Sequence, residues 1–112
     1  MFTLNCKGRL LKLDQPIVMG IINATPDSFH SDSRVDGIAE AVEKATEMLG
    51  QGASILDIGG QSTRPGSEKV GPTSEADRVV PIIQAILKQF PETIISIDTY
   101  YAEVARMSVD AG

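Results

Sequence analysis

Three stretches of this sequence carry residues able to do chemistry, and each ends an aliphatic run. Asn23-Ala-Thr25-Pro26-Asp27-Ser28-Phe29 follows Ile17–Ile22, Asp57-Ile-Gly59-Gly60-Gln61-Ser62-Thr63-Arg64-Pro65-Gly66 completes the run that opens at Ser54, and Asp98-Thr99 follows Thr93–Ile97. At the end of an apolar strand the neutral amide oxygen of Asn23 can ligate a hard cation such as Mg²⁺ without the desolvation cost of a carboxylate. The planar guanidinium of Arg64 suits a phosphate or pyrophosphate, Ser62 and Thr63 add donors, and the paired glycines let a ligand or another backbone come close. Asp98 is open to two readings. Its carboxylate either caps a following helix or accepts from a planar pair of N–H donors. Thr25 to Ser28 is also good turn chemistry by itself, since Pro supplies φ and Asp or Ser bonds nearby backbone. Phe29 in so polar a loop has reason to be there if it covers something. Asp57 is an orienting acid or a paired buried one, and the solitary His30, in a polar stretch, reads as solvated.

These groups need elements to hold them. The aliphatic runs are short, nearly continuous and β-branched, as strands of a parallel sheet read when both faces are covered. Between the first two runs, Ile38, Ala41, Val42, Ala45, Met48 and Leu49 fall on one helical stripe that Gly50 and Gly52 end. A second helix is expected to open at Ser74, bury Val79, Ile82, Ile83, Ile86, Leu87 and Phe90, and stop at Pro91, with Pro81 kinking it or marking its first turn. A third helix is expected from about Tyr100 onward. Ahead of them, Thr3 to Leu13 reads as a hairpin turning at Lys7-Gly8, with Leu4, Cys6 and Leu10 alternating against Lys7, Arg9 and Lys12. The hairpin should cover the amino-terminal mouth of the sheet, away from the chemistry.

The resulting order is hairpin, then β-α-β-α-β-α. Strand starts at Ile17, Ser54 and Thr93 lie 37 and 39 residues apart, somewhat more than a minimal βαβ unit of roughly 30 requires. The surplus sits in Asn23 to Asp36 and Gly59 to Thr73. Both loops follow strands, at the sheet end where parallel α/β folds build their sites. A closed eight-stranded barrel takes roughly 250 residues, so residues 1–112 are expected to supply about the first three βα units of a (β/α)8 TIM barrel plus the hairpin.

Composition narrows the function classes. With 10 Lys and Arg against 15 Asp and Glu, the net charge is −5, and the basic residues are scattered, which argues against a nucleic-acid surface. The apolar runs fall far short of the roughly 20 residues that span a bilayer, so no membrane role is expected. A single cysteine allows no intrachain disulfide, and a cytoplasmic setting follows as the expectation.

Taken together and in order, Met19 to Phe29, Asp57 to Gly66 and Ser96 to Thr99 resemble dihydropteroate synthase over nearly all of the chain. The resemblance implies a TIM-barrel transferase of folate biosynthesis that joins 6-hydroxymethyl-7,8-dihydropterin pyrophosphate to p-aminobenzoate, giving 7,8-dihydropteroate and pyrophosphate. It makes Asn23 the Mg²⁺ contact, sets Thr63 and Arg64 in the pyrophosphate environment, and turns Asp98 into an anchor for the amino and ring N–H donors of the pterin. Thr25, Pro26, Asp27, Phe29 and Pro65 become substrate contacts on two loops that close around p-aminobenzoate. Gln61 stands where the family often has Glu, and residues 30–34 replace its commoner Ser-Asp-Gly-Gly run. The family's later motifs do not occur in these 112 residues. The chain therefore reads as the amino-terminal part of such an enzyme, not expected to turn over alone and open to homo-oligomer formation. Two other readings are a noncatalytic binding or assembly module with an open sheet edge, and a related pterin methyltransferase barrel.

Overall fold

A computed structural model describes residues 2–24, 34–60 and 71–112. Strands β1 (Phe2–Cys6) and β2 (Arg9–Leu13) pair antiparallel from Phe2↔Leu13 to Cys6↔Arg9. Lys7 at φ 54° and Gly8 at φ 87° form the two-residue connection, with positive φ at both central positions as the twist of a tight hairpin demands. The Asn5 side-chain oxygen accepts the Gly8 N–H at 2.8 Å. One expectation is corrected here. Leu10 lies opposite Asn5, on the face away from Leu4 and Cys6, and is 69% exposed. Leu4 and Cys6 share their face with Leu11 and Arg9 instead. A two-residue turn pairs even positions of the first strand with odd positions of the second, so alternation does not carry across it.

The second sheet is parallel, in the order β3 (Val18–Asn23), β4 (Ala53–Gly59), β5 (Ile94–Asp98). Helices α1 (Arg34–Gly50), α2 (Pro72–Gln89) and α3 (Ala102–Ala111) complete the three βα units of a partial (β/α)8 barrel. Ile22, Leu56 and Ile58 point to the helices and are buried with Ala41, Ala45, Val79, Ile83, Ile86 and Val104, while Ile95 and Ile97 pack against that core. The alternate residues Met19, Ile21 and Asn23 face the other way and are exposed. Thus the helices cover one side of the sheet, and the chemistry of the strand ends lies on the other.

Helix boundaries differ from those read by pattern. α1 begins at Arg34, inside the stretch expected as loop. α2 begins at Pro72 rather than Ser74, because Pro at the first helical position loses no bond and brings a preset φ. It then runs through Pro81, which has no amide hydrogen to donate one turn back, and closes with Phe90 N–H to Ile86 O at 2.7 Å just ahead of Pro91. α3 starts at Ala102, with Tyr101 rather than Tyr100 at its edge.

The hairpin packs where β5 begins. Arg9 donates to the Glu92 carboxylate at 2.8 Å and to the Glu92 carbonyl, and the Lys7 ammonium donates to the Val109 carbonyl at 2.6 Å. A cavity of about 560 Å³ lies there, lined among others by Cys6, Ile83, Leu87, Ile95 and Ser108. Asp98 is at the opposite end of the same strand, so the hairpin closes the amino-terminal end of the sheet, as its sequence predicts. Among the described residues, no helix is long and apolar enough to cross a membrane.

Candidate functional site

Parallel pairing sets side chains in rows across the sheet, and the last row carries the polar groups. Asn23 is in register with Gly59, and Gly59 with Asp98. Two strand spacings therefore separate Asn23 from Asp98, roughly 10 Å. Between them Gly59 offers no side chain. A Cβ built there would lie 3.6 Å from Asp98 Oδ2, so the carboxylate leans across the row toward β4. The row beneath is Ile21, Asp57 and Ser96, and below it Met19, Ile55 and Ile94. A polar rim thus sits on an apolar floor, on the face turned from the helices. Asn23 and Asp98 are exposed, whereas Asp57 and Ser96 are half-buried.

The two readings of Asp98 now separate. The N-cap of α3 is Tyr101, which makes no side-chain capping bond, and Asp98 stands three residues ahead of it. Thr99 Oγ1 accepts the Tyr101 N–H at 3.1 Å and shapes the exit from the strand. The Asp98 carboxylate is free of helix-capping duty and faces the row.

Asn23 and Asp98 are thus brought to one edge, with Asp57 one row behind. Thr25, Pro26, Asp27, Phe29, Thr63, Arg64 and Pro65, together with His30, lie outside the described residues. The fit to Mg²⁺ rests on donor chemistry. Asn23 presents an exposed amide oxygen, and among the described residues no cluster of three His, Cys, Asp or Glu side chains could cage a cation. The amide oxygen of Asn23 is a hard, neutral donor of the kind Mg²⁺ accepts beside waters and phosphate oxygens.

Two residues escaped the sequence reading. Arg78 Nη1 donates to the Gly60 carbonyl at 3.0 Å, and Glu75, in the first turn of α2, is fully buried beside the same glycine. Their one-turn spacing directly after a glycine-rich loop was the signal available in the sequence.

Residues 19–112, which include the whole parallel sheet except Val18, match the family described as pterin binding enzyme. The chain belongs to this family. Among pterin-binding enzymes, the dihydropteroate synthase of Streptococcus pyogenes serotype M18 is 44% identical over 105 residues, which are 94% of this chain and 39% of that protein. That of Escherichia coli K12 is 44% identical over 106 residues, 95% of this chain and 37% of the relative. The structure of the Xanthomonas albilineans synthase with 4-aminobenzoic acid aligns with a TM-score of 0.87 at 45% identity, covering 98% of this chain and 40% of that one. The chain spans about two fifths of the length of the relatives it matches.

Proposed function

We propose that residues 1–112 form the amino-terminal part of one pterin-binding barrel domain, and that the completed domain is a dihydropteroate synthase working in the cytoplasm. The observation that carries this reading is the row Asn23, Gly59, Asp98 at the carboxyl end of the sheet, in a chain of the pterin-binding family. It is supported by the name shared by the relatives and by the 4-aminobenzoic acid bound to the Xanthomonas protein.

The chemistry follows from charge. The amine nitrogen of p-aminobenzoate forms a bond to the exocyclic carbon of the pterin, that carbon's bond to the pyrophosphate oxygen breaks, and the amine proton leaves to water. As the C–O bond weakens, the pterin gains positive charge and the pyrophosphate negative charge. Asp98, accepting from the pterin N–H donors, stabilises the cation through its own charge. Arg64, with Thr63, receives the pyrophosphate. Asn23 would hold Mg²⁺, whose contribution is positive charge on the same leaving group. Thr25, Pro26, Asp27, Phe29 and Pro65 would surround p-aminobenzoate and keep water from competing with the amine.

The test uses this chain completed by the carboxyl-terminal part of the E. coli synthase. The folded chimera should make 7,8-dihydropteroate from the two substrates with Mg²⁺ present, read by chromatography. A folded chimera that binds neither pterin pyrophosphate nor p-aminobenzoate overturns the reading.

A further inference from the structure

The three parallel strands carry two charged side chains, Asp57 and Asp98. Register puts both on the face turned from the helices: Asp57 pairs with Ser96, two residues before Asp98 on β5, and itself stands two residues before Gly59 on β4. Strand spacing and rise set their Cα atoms roughly 8 Å apart. Two carboxylates at that distance repel, and partial burial strengthens the repulsion. Asp57 is half-buried, and no described residue gives it a hydrogen bond or an ion pair. The described lysines and arginines belong to the hairpin, at the far end of the sheet, or to the helices, on its other face. Among the described residues this face thus carries negative charge with nothing to balance it, the complement of a ligand that becomes cationic. Gly59 puts no side chain between Asp57 and the row of Asn23 and Asp98. Its φ lies outside the left-handed region, and a Cβ built on it meets no described atom closer than 3.5 Å, so the fold itself accepts alanine there.

We infer that Asp57 is a second catalytic carboxylate: a pterin lying across Gly59 with its N–H donors on Asp98 rests over Asp57, whose charge stabilises the cation that forms as the C–O bond to pyrophosphate breaks. This rests on the synthase reading. The two acids act differently. Asp98 accepts hydrogen bonds from the uncharged pterin and so contributes to binding as well as to the step, whereas Asp57 acts through charge alone and contributes when positive charge appears.

Rate and ground-state affinity separate the two roles. In the chimera, the isosteric Asp57→Asn should slow single-turnover formation of 7,8-dihydropteroate by about 10- to 100-fold, the scale of one charge acting over several ångströms in a partly dry site. Affinity for the uncharged pterin alcohol, which lacks the pyrophosphate, should stay within about threefold. The thermal midpoint should hold or rise, because a repulsion is removed. Asp57→Glu, which keeps the charge, should recover part of the rate. Gly59→Ala should leave the midpoint nearly unchanged yet weaken binding of the alcohol by about tenfold or more, since its methyl enters the space assigned to the ring. The inference is overturned, with the synthase reading left standing, by an Asp57→Asn rate within about twofold of the unsubstituted chimera, by alcohol affinity lost in step with the rate, or by a midpoint that falls as for a broken ion pair. Unchanged alcohol binding in Gly59→Ala overturns it as well. An unsubstituted chimera that binds neither substrate overturns the synthase reading and takes this inference with it.

Discussion

The two ends of the parallel sheet are built on opposite plans. At the amino-terminal end polar groups are spent on structure: Arg9 is engaged by Glu92, Lys7 by the Val109 carbonyl, and a hairpin lies against the start of β5. At the carboxyl end Asn23 and Asp98 stand exposed in one row, and the helix after Asp98 begins without a side-chain cap. A fold indifferent to the carboxyl end would gain by capping α3 with Asp98. Here the N-cap falls on Tyr101, three residues beyond Asp98, so the carboxylate carries no capping role and is available to the ligand proposed above.

The comparison makes its largest claim at Asp98. In the chimera, Asp98→Asn should weaken pterin pyrophosphate binding by about 2 to 5 kcal/mol, as expected for losing a charged hydrogen-bond partner that the bound pterin would enclose. The thermal midpoint should hardly move, because Tyr101 and not Asp98 occupies the N-cap of α3. Titration calorimetry and a melting curve read the two quantities. Unchanged pterin affinity in a folded variant would end the pterin-anchor assignment.

The mirror of that variant lies on the other face of the sheet. Leu56→Ala, in a fully buried position two residues before Ile58, should lower stability by about 2 to 5 kcal/mol and leave pterin affinity of the folded fraction alone. Denaturant titration checks the first part. A cost below about 1 kcal/mol would show that the helices do not anchor on β4 as the packing indicates.

Much of this was legible in the residues, and what was not has specific causes. β-branched runs located all three parallel strands, and both long loops were read after strands, at the sheet end where Asn23 and Asp98 stand. The pairing of Asn23, Gly59 and Asp98 was beyond reach, since register is a relation between strands and no single segment carries it. Leu10 was assigned to the wrong face for a related reason, the change of parity across a two-residue turn. The early start of α1 was missed because Arg34 and Asp36 break the apolar stripe. Glu75 went unnoticed because an acid near a helix start usually faces water.

A third effect concerns the uncovered face. Val18, Met19 and Ile21 are exposed, and among the described residues no strand pairs with the outer edge of β3 or β5. The 112-residue chain by itself should therefore associate in solution, and Ile21→Ser should reduce the association, by at most the roughly 1.5 to 3 kcal/mol that full burial of such a side chain provides. Sedimentation velocity at several concentrations reads this. A strictly monomeric chain with one sharp unfolding transition would show the sheet to be self-sufficient, and would remove the main support for an assembly role.

The smallest effect belongs to the hairpin end. Arg9 and Glu92 form an ion pair at 2.8 Å, but their side chains are 41% and 92% exposed, so water and salt compete with it on both sides. Such pairs contribute about 0 to 1 kcal/mol, and the cost of ordering two long side chains offsets much of the attraction. Arg9→Ala should exceed Glu92→Ala, because Arg9 also donates to the Glu92 carbonyl, an acceptor that remains when the Glu92 side chain is removed. A double-mutant cycle isolates the side-chain pair, with an expected coupling below about 1 kcal/mol that shrinks further in high salt. Pterin affinity of the chimera should not respond, since β5 separates this pair from Asp98 along its whole length. A change in pterin affinity on removing Arg9 would show the two ends of the sheet to be coupled, and would undo the division between a structural end and a ligand end.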